Sequence, residues 1–168
     1  MEKNINTIGI LGGSGALGSG LSYRLGKEGY QILIGSRNQE KASKKVNEIN
    51  KRLNHEKVSV ESNYLAAEKS DLIILAVPFS NHLAIVKEIA PVVQNKIILD
   101  TTVPLVPPKV ARVQLPEYGS VAKKTQELLG NEVRVVSAFQ NVAAIHLNGD
   151  DALSCLLYTS PSPRDVPW

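Results

Sequence analysis

The sequence predicts an α/β protein built on a doubly wound parallel sheet, and three observations predict it. Short apolar runs alternate with longer amphipathic stretches along the chain. One run, Leu72-Ile73-Ile74-Leu75-Ala76-Val77, is almost continuously apolar, as strands buried on both faces of a parallel sheet are. The first run, Ile8 to Leu11, tightens into Gly12-Gly13-Ser14-Gly15-Ala16-Leu17-Gly18 and opens into a helix near Ala16. That is the layout of a Rossmann-type nucleotide turn.

The elements follow in order. Ile8 to Leu11 is a short buried strand, and the helix after it carries Leu17, Leu21 and Leu25 and ends near Gly29, a suitable C-cap. Gln31 to Ile34 is the second strand. A polar helix from Gln39 to Leu53 spaces Ala42, Val46, Ile49 and Leu53 for one inner face. Val58 to Val60 is a third strand, Tyr64 to Lys69 a short helix or turn, and Leu72 to Val77 the fourth strand, stopped by Pro78. His82 to Ala90 forms the next helix, and Lys96 to Asp100 the fifth strand. The proline-rich stretch from Thr101 to Pro116 is an extended connection. A helix capped by Ser120 or Gly119 reaches Leu129, and Val133 to Ala138 supplies a sixth strand.

The glycines fit two templates. Gly13, Gly15 and Gly18 have the G-x-G-x-x-G spacing of a dinucleotide turn. Gly12, Gly15 and Gly18 give the G-x-x-G-x-x-G spacing of extended short-chain dehydrogenases. In the first template Gly13 makes the sharp turn, Gly15 admits a pyrophosphate to the backbone, and Gly18 lets the helix lie close on the strand. Free N–H groups at the helix start then hold the anion. The second strand ends in Ser36-Arg37, with Lys41 one turn into the next helix. An NAD site usually has a carboxylate there. A hydroxyl and two cations suit the 2′-phosphate of NADP instead.

The balance of the chain excludes other classes. Its 168 residues suffice for one domain with a core, and 43% hydrophobic with 21% charged residues is a globular composition. A net charge of +3, with no basic run interleaved with aromatics, excludes a nucleic-acid binder. No signal peptide or membrane-spanning run is read, so the cytoplasm is expected. Cys155 is the single cysteine, which removes a disulfide framework and a cysteine metal site. His55, His82 and His146 lie far apart and read as non-ligands. No metal site and no catalytic side chain are assigned: Ala122 follows Tyr118 where a Tyr-x-x-x-Lys pair needs lysine, and Tyr23 and Lys27 sit in the first helix.

The glycine stretch, Gly35-Ser36-Arg37 with Lys41, Leu105-Val106-Pro107, and Val135-Val136-Ser137-Ala138-Phe139-Gln140-Asn141-Val142-Ala143-Ala144 together resemble the NADPH-dependent reductases of the deazaflavin coenzyme F420. The resemblance runs from about residue 8 to 150 and departs at Gln140 and Ala143, where some members carry histidine and proline. It implies an NADP-binding domain, a smaller C-terminal portion, a homodimer in the full-length form, and reversible hydride transfer between nicotinamide and deazaflavin. It implies that Gly13, Ser14, Gly15, Ala16 and Leu17 line the pyrophosphate and that Ser36, Arg37 and Lys41 hold the 2′-phosphate. Val77, Pro78 and Phe79 flank the adenosine side, with Leu83 from the next helix. Asn141, Val142 and Ala144 approach the nicotinamide and the deazaflavin. Both redox centres belong to the cofactors, so the implied mechanism is alignment of two rings.

Two other readings use the same residues: a reductase with another acceptor (a flavin, a ferric chelate, or a small imine or ketone), and a non-catalytic NADP-sensing module. Cys155 to Asp165 matches one reading frame of a transposase-type sequencing-library adapter. The expected organisation is therefore a truncated NADP-binding domain over 1–153 and a non-native tail over 154–168. Such a chain binds NADPH weakly and lacks reductase competence by itself.

Overall fold

The computed structural model describes residues 4–105 and 115–150. Val106, Pro107 and Pro108 of the proline-rich connection, and the expected tail over 154–168 with Cys155, lie outside them. Six strands form one parallel sheet: β1 (Thr7–Leu11), β2 (Gln31–Gly35), β3 (Val58–Glu61), β4 (Leu72–Leu75), β5 (Ile97–Asp100) and β6 (Arg134–Ser137). Their order is β3-β2-β1-β4-β5-β6, and every neighbouring pair is parallel. Five helices join them, α1 (Ala16–Lys27), α2 (Gln39–Leu53), α3 (Asn63–Lys69), α4 (Phe79–Ile89) and α5 (Val121–Leu129), and α6 (Ala144–Leu147) follows β6.

The period-2 alternation of the strands sorts the core onto two faces. Ile8, Ile10, Ile32, Ile34 and Ile74 pack with Leu21, Val46 and Ile49 of α1 and α2. Leu11, Leu33, Ile73, Leu75 and Ile98 pack with Ala66, Val86 and Leu129 of α3, α4 and α5. Each fully buried side chain of this size contributes about 1.5–3 kcal/mol relative to exposure.

Local chemistry sets the helix ends. Asn38 Oδ1 accepts from the Lys41 amide at 2.9 Å and starts α2, while Asn54, at φ 56°, ends it. Gly29, at φ 98°, closes α1 with the Gly29 amide bonded to Gly26 and the Tyr30 amide to Leu25, a Schellman motif. The fourth strand is shorter than its apolar run. Ala76 and Val77 leave the ladder toward the carboxyl edge, and Pro78 becomes the N-cap of α4, which starts three residues earlier than expected.

The four-residue α6 is not foreshadowed by any periodicity. It docks on α1, with Leu147 buried beside Gly20. Arg24 donates from Nε to the Leu147 carbonyl at 3.1 Å and from Nη2 to that of His146 at 3.2 Å. Arg52 lies 3.7 Å over the Tyr23 ring and donates to the Asn148 carbonyl at 2.8 Å and to Asp150 at 3.0 Å. The Tyr23 hydroxyl also donates to Asp150. That hydrogen bond and Arg52 push the Asp150 carboxyl down to about 2. Among the described residues, no helix is long and apolar enough to cross a membrane.

Candidate nucleotide site

The site begins where β1 runs out. Gly12 takes φ 82°, and its amide donates to the Gly35 carbonyl at 3.1 Å, tying the exits of β1 and β2 together. A Cβ on Gly12 would stand 2.4 Å from the Ala76 carbonyl oxygen. The left-handed turn residue is therefore Gly12, not the expected Gly13, which does not have positive φ and is kept small by Ile34 at 2.9 Å. Gly18 behaves as expected: a Cβ there would lie 2.6 Å from Gly12 O and Gly13 Cα, so α1 rests directly on the turn.

Gly15 is the N-cap of α1, in extended conformation, and no side chain caps the helix. Among the described residues, the Ser14, Ala16 and Leu17 amides donate to no acceptor. The first turn holds no acidic residue. A helix start with free N–H groups and no counter-charge is an anion site.

A cleft of about 230 Å³ opens beside it, with Gly12 and Ser14 on one side and Gly35, Ser36, Arg37 and Lys41 on the other. Ser36 Oγ donates to the Asn38 carbonyl at 3.0 Å and accepts from the Asn38 amide at 3.2 Å. This turn presents Arg37 to solvent. Among the described residues, neither Arg37 nor Lys41 forms an ion pair, and no carboxylate lines the cleft. Lys41 lies in the first turn of α2, where the helix dipole disfavours a cation unless an anion faces it.

Val77 and Pro78 line the opposite wall. Phe79 and Leu83 do not line it: both are half-buried on α4, and the residues facing the cleft are Asn81 and Ile85, one helical turn apart. Asn38 and Asn63 complete the wall and were missed by sequence reasoning. The i, i+4 spacing of Asn81 and Ile85 was the available signal; Asn63 offered none. Asn141, Val142 and Ala144 lie after β6 and outside this cleft. Asn141 is exposed, Val142 packs against the core face beneath α1 and α2, and Ala144 opens α6.

A second polar group sits at the carboxyl end of β5. His82 of α4, Asp100 of β5 and Thr125 of α5 are buried to within 1%. His82 Nε2 lies 2.8 Å from Asp100 Oδ2, and Thr125 Oγ1 donates to the same oxygen at 2.9 Å. The Thr102 amide donates to Asp100 Oδ1 at 3.0 Å, and the Asp100 carbonyl accepts from Gln140 Nε2 at 2.9 Å. Burial raises the Asp100 carboxyl, but the hydrogen bond and charge of His82 and the bonds from Thr102 outweigh it and hold the group below its ordinary range. This network ties α4, α5 and the exits of β5 and β6 together.

The family model for coenzyme F420-dependent NADP oxidoreductases matches residues 7–104. The F420-dependent NADP reductase of Methanocaldococcus jannaschii is 40% identical over 157 residues, covering 88% of this chain and 69% of that protein. The Methanothermobacter thermautotrophicus reductase of the same name is 33% identical and covers 95% and 72%. A solved structure from Arthrobacter sp. FB24, carrying an F420-dependent NADP-reductase designation, superposes with a TM-score of 0.70 at 21% identity over 84% of this chain and 65% of that one. Pyrroline-5-carboxylate reductase from Coxiella burnetii shares the fold at a TM-score of 0.57 and 17% identity, over 84% and 46%.

Proposed function

The chain belongs to the F420-dependent NADP reductase family, a family of NADP-binding oxidoreductases, and from that membership we propose that its cleft binds NADP(H) and that its full-length form passes a hydride reversibly between NADPH and F420. One observation carries the nucleotide reading. An uncapped helix start stands beside two cations that have no ion pair among the described residues, in a cleft without a carboxylate.

In this reading the Ser14, Ala16 and Leu17 amides take the pyrophosphate, with Gly13 and Gly15 keeping the backbone open. Arg37 and Lys41 take the 2′-phosphate, and the Ser36 turn holds Arg37 in place. Val77 and Pro78 flank the adenosine, with Phe79 and Leu83 behind them. The bound nicotinamide supplies the hydride. The protein's part is to bring the rings together near Asn141, Val142 and Ala144, at the carboxyl edge where this fold places ligands. The domain over 1–153 is the nucleotide half, and the full-length protein is a homodimer.

Replacing Arg37 by alanine is expected to weaken NADPH binding by about 1.5–3 kcal/mol and leave NADH nearly unchanged, measured by calorimetric titration. Equal losses for both would remove Arg37 from the 2′-phosphate. For the acceptor, a full-length form mixed with NADPH and oxidised F420 should bleach the deazaflavin absorbance. Turnover of a flavin without turnover of F420 would overturn the proposal.

A further inference from the structure

Asn63 is the one buried polar side chain on the wall of the cleft among the described residues. Ser62 caps α3 by accepting from the Leu65 amide at 3.2 Å, which sets Asn63 as the first helical residue. It is 4% exposed, yet it reaches the floor of the cleft. Its side-chain amide has no hydrogen-bond partner among the described residues, and its polar atoms stay open to the cleft. The other buried residues of α3, Ala66 and Ala67, are small and apolar. An amide that opens onto a cleft with no partner of its own is free to bond a ligand group that enters.

The backbone around it is cut to fit. Asn63 Oδ1 lies 3.0 Å from where a Cβ on Gly35 would stand, so glycine at the end of β2 leaves the amide uncovered. Gly35 immediately precedes Ser36 and Arg37. The cations form the exposed rim, and Asn63 lies deeper at the same strand end. A side-chain amide both donates and accepts, which matches a hydroxyl group rather than a phosphate.

Resting on the NADP reading above, we propose that Asn63 binds the 3′-hydroxyl of the adenosine ribose, the neighbour of the 2′-phosphate held by Arg37 and Lys41. It is then a ribose-reading residue, and it acts equally on NADPH and NADH because both carry that hydroxyl.

Calorimetric titration of the 168-residue chain with NADPH, NADH and the 3′-deoxyadenosine analogue of NADPH tests this. The native protein should bind the 3′-deoxy analogue about tenfold more weakly than NADPH, one hydrogen bond's worth. Asn63→Ala should lose about tenfold for NADPH and the same factor for NADH, and should no longer distinguish the analogue. Arg37→Ala, by contrast, spares NADH. If Asn63→Ala melts like the native chain and binds NADPH within about twofold of it, the proposal falls. Should that variant fail to fold, the analogue decides on the native protein alone, and equal affinity for both ligands overturns the assignment. An Asn63→Ala variant that still distinguishes the 3′-deoxy analogue, but not the analogue with hypoxanthine for adenine, would assign the amide to the base and overturn the ribose. No binding of NADPH by the native chain removes the nucleotide reading itself, and this one with it. A native chain that binds NADPH, with Arg37→Ala selective as predicted, isolates any failure to Asn63.

Discussion

Asp100→Ala is expected to lower the unfolding free energy by about 3–5 kcal/mol, read as a fall in the urea midpoint. The carboxylate is 1% exposed and holds His82, Thr125 and the Thr102 amide at once. Removing it leaves a buried imidazole, a buried hydroxyl and an amide to find other partners. The effect carries a pH signature. A carboxyl whose folded pKa is depressed contributes stability above its unfolded value, and loses that contribution as pH falls through the folded value. For Asp100 the unfolded value is near 3.8 and the folded value lies below it. The native chain should therefore lose stability in the acid range below 3.8, and Asp100→Asn should lose less there. Identical acid profiles for the two proteins would show that the pair carries no linked stability.

Gly12→Ala should act on fold and ligand together. A left-handed conformation costs an L-residue about 1–2 kcal/mol. Added to it is a Cβ 2.4 Å from the Ala76 carbonyl, which forces the exits of β1 and β4 apart. The turn that aims the α1 amides moves with them, and displacement of binding groups by about 1 Å can cost on the order of a hundredfold. Gly15→Ala is the control. Its φ of −76° suits any residue, and its Cβ would approach only Gly12 O, at 3.3 Å. It should melt like the native chain and lose NADPH affinity alone. A Gly12→Ala chain that melts normally and binds NADPH normally would show that the turn does not need glycine there.

Most of the fold was legible because single residues with strong local preferences set its boundaries. The i, i+4, i+7 spacing of Ala42, Val46 and Ile49 marks α2 without tertiary help, and its expected bounds match those that the Asn38 cap sets. That Gly12, Gly35, Ser36, Arg37 and Lys41 share one cleft follows from a similar economy: they stand at the exits of two neighbouring strands. Spacing cannot say which of two adjacent glycines takes positive φ, so the turn fell to Gly12 only when Ala76 came beside it. The resemblance brought forward Leu83, whereas the cleft meets Asn81 and Ile85 because β4 releases the chain two residues early. His82, Asp100 and Thr125 come from three elements up to 43 residues apart, and no local pattern announces them.

The clasp of α6 on α1 and α2 bears on the order in which this chain folds. Arg24 meets Leu147 across 123 positions, and Tyr23 meets Asp150 across 127. Contacts that close loops of this size carry a large entropic cost and form late. The helix that opens the candidate site, α1, is thus made well before the segment that secures its outer face. Its amino-terminal turn rests on neighbours supplied by β1, β2 and the exit of β4, all made by residue 77, whereas its carboxyl-terminal half waits for α6. The two ends of one helix therefore belong to different stages of assembly, with the ligand-facing end settled first.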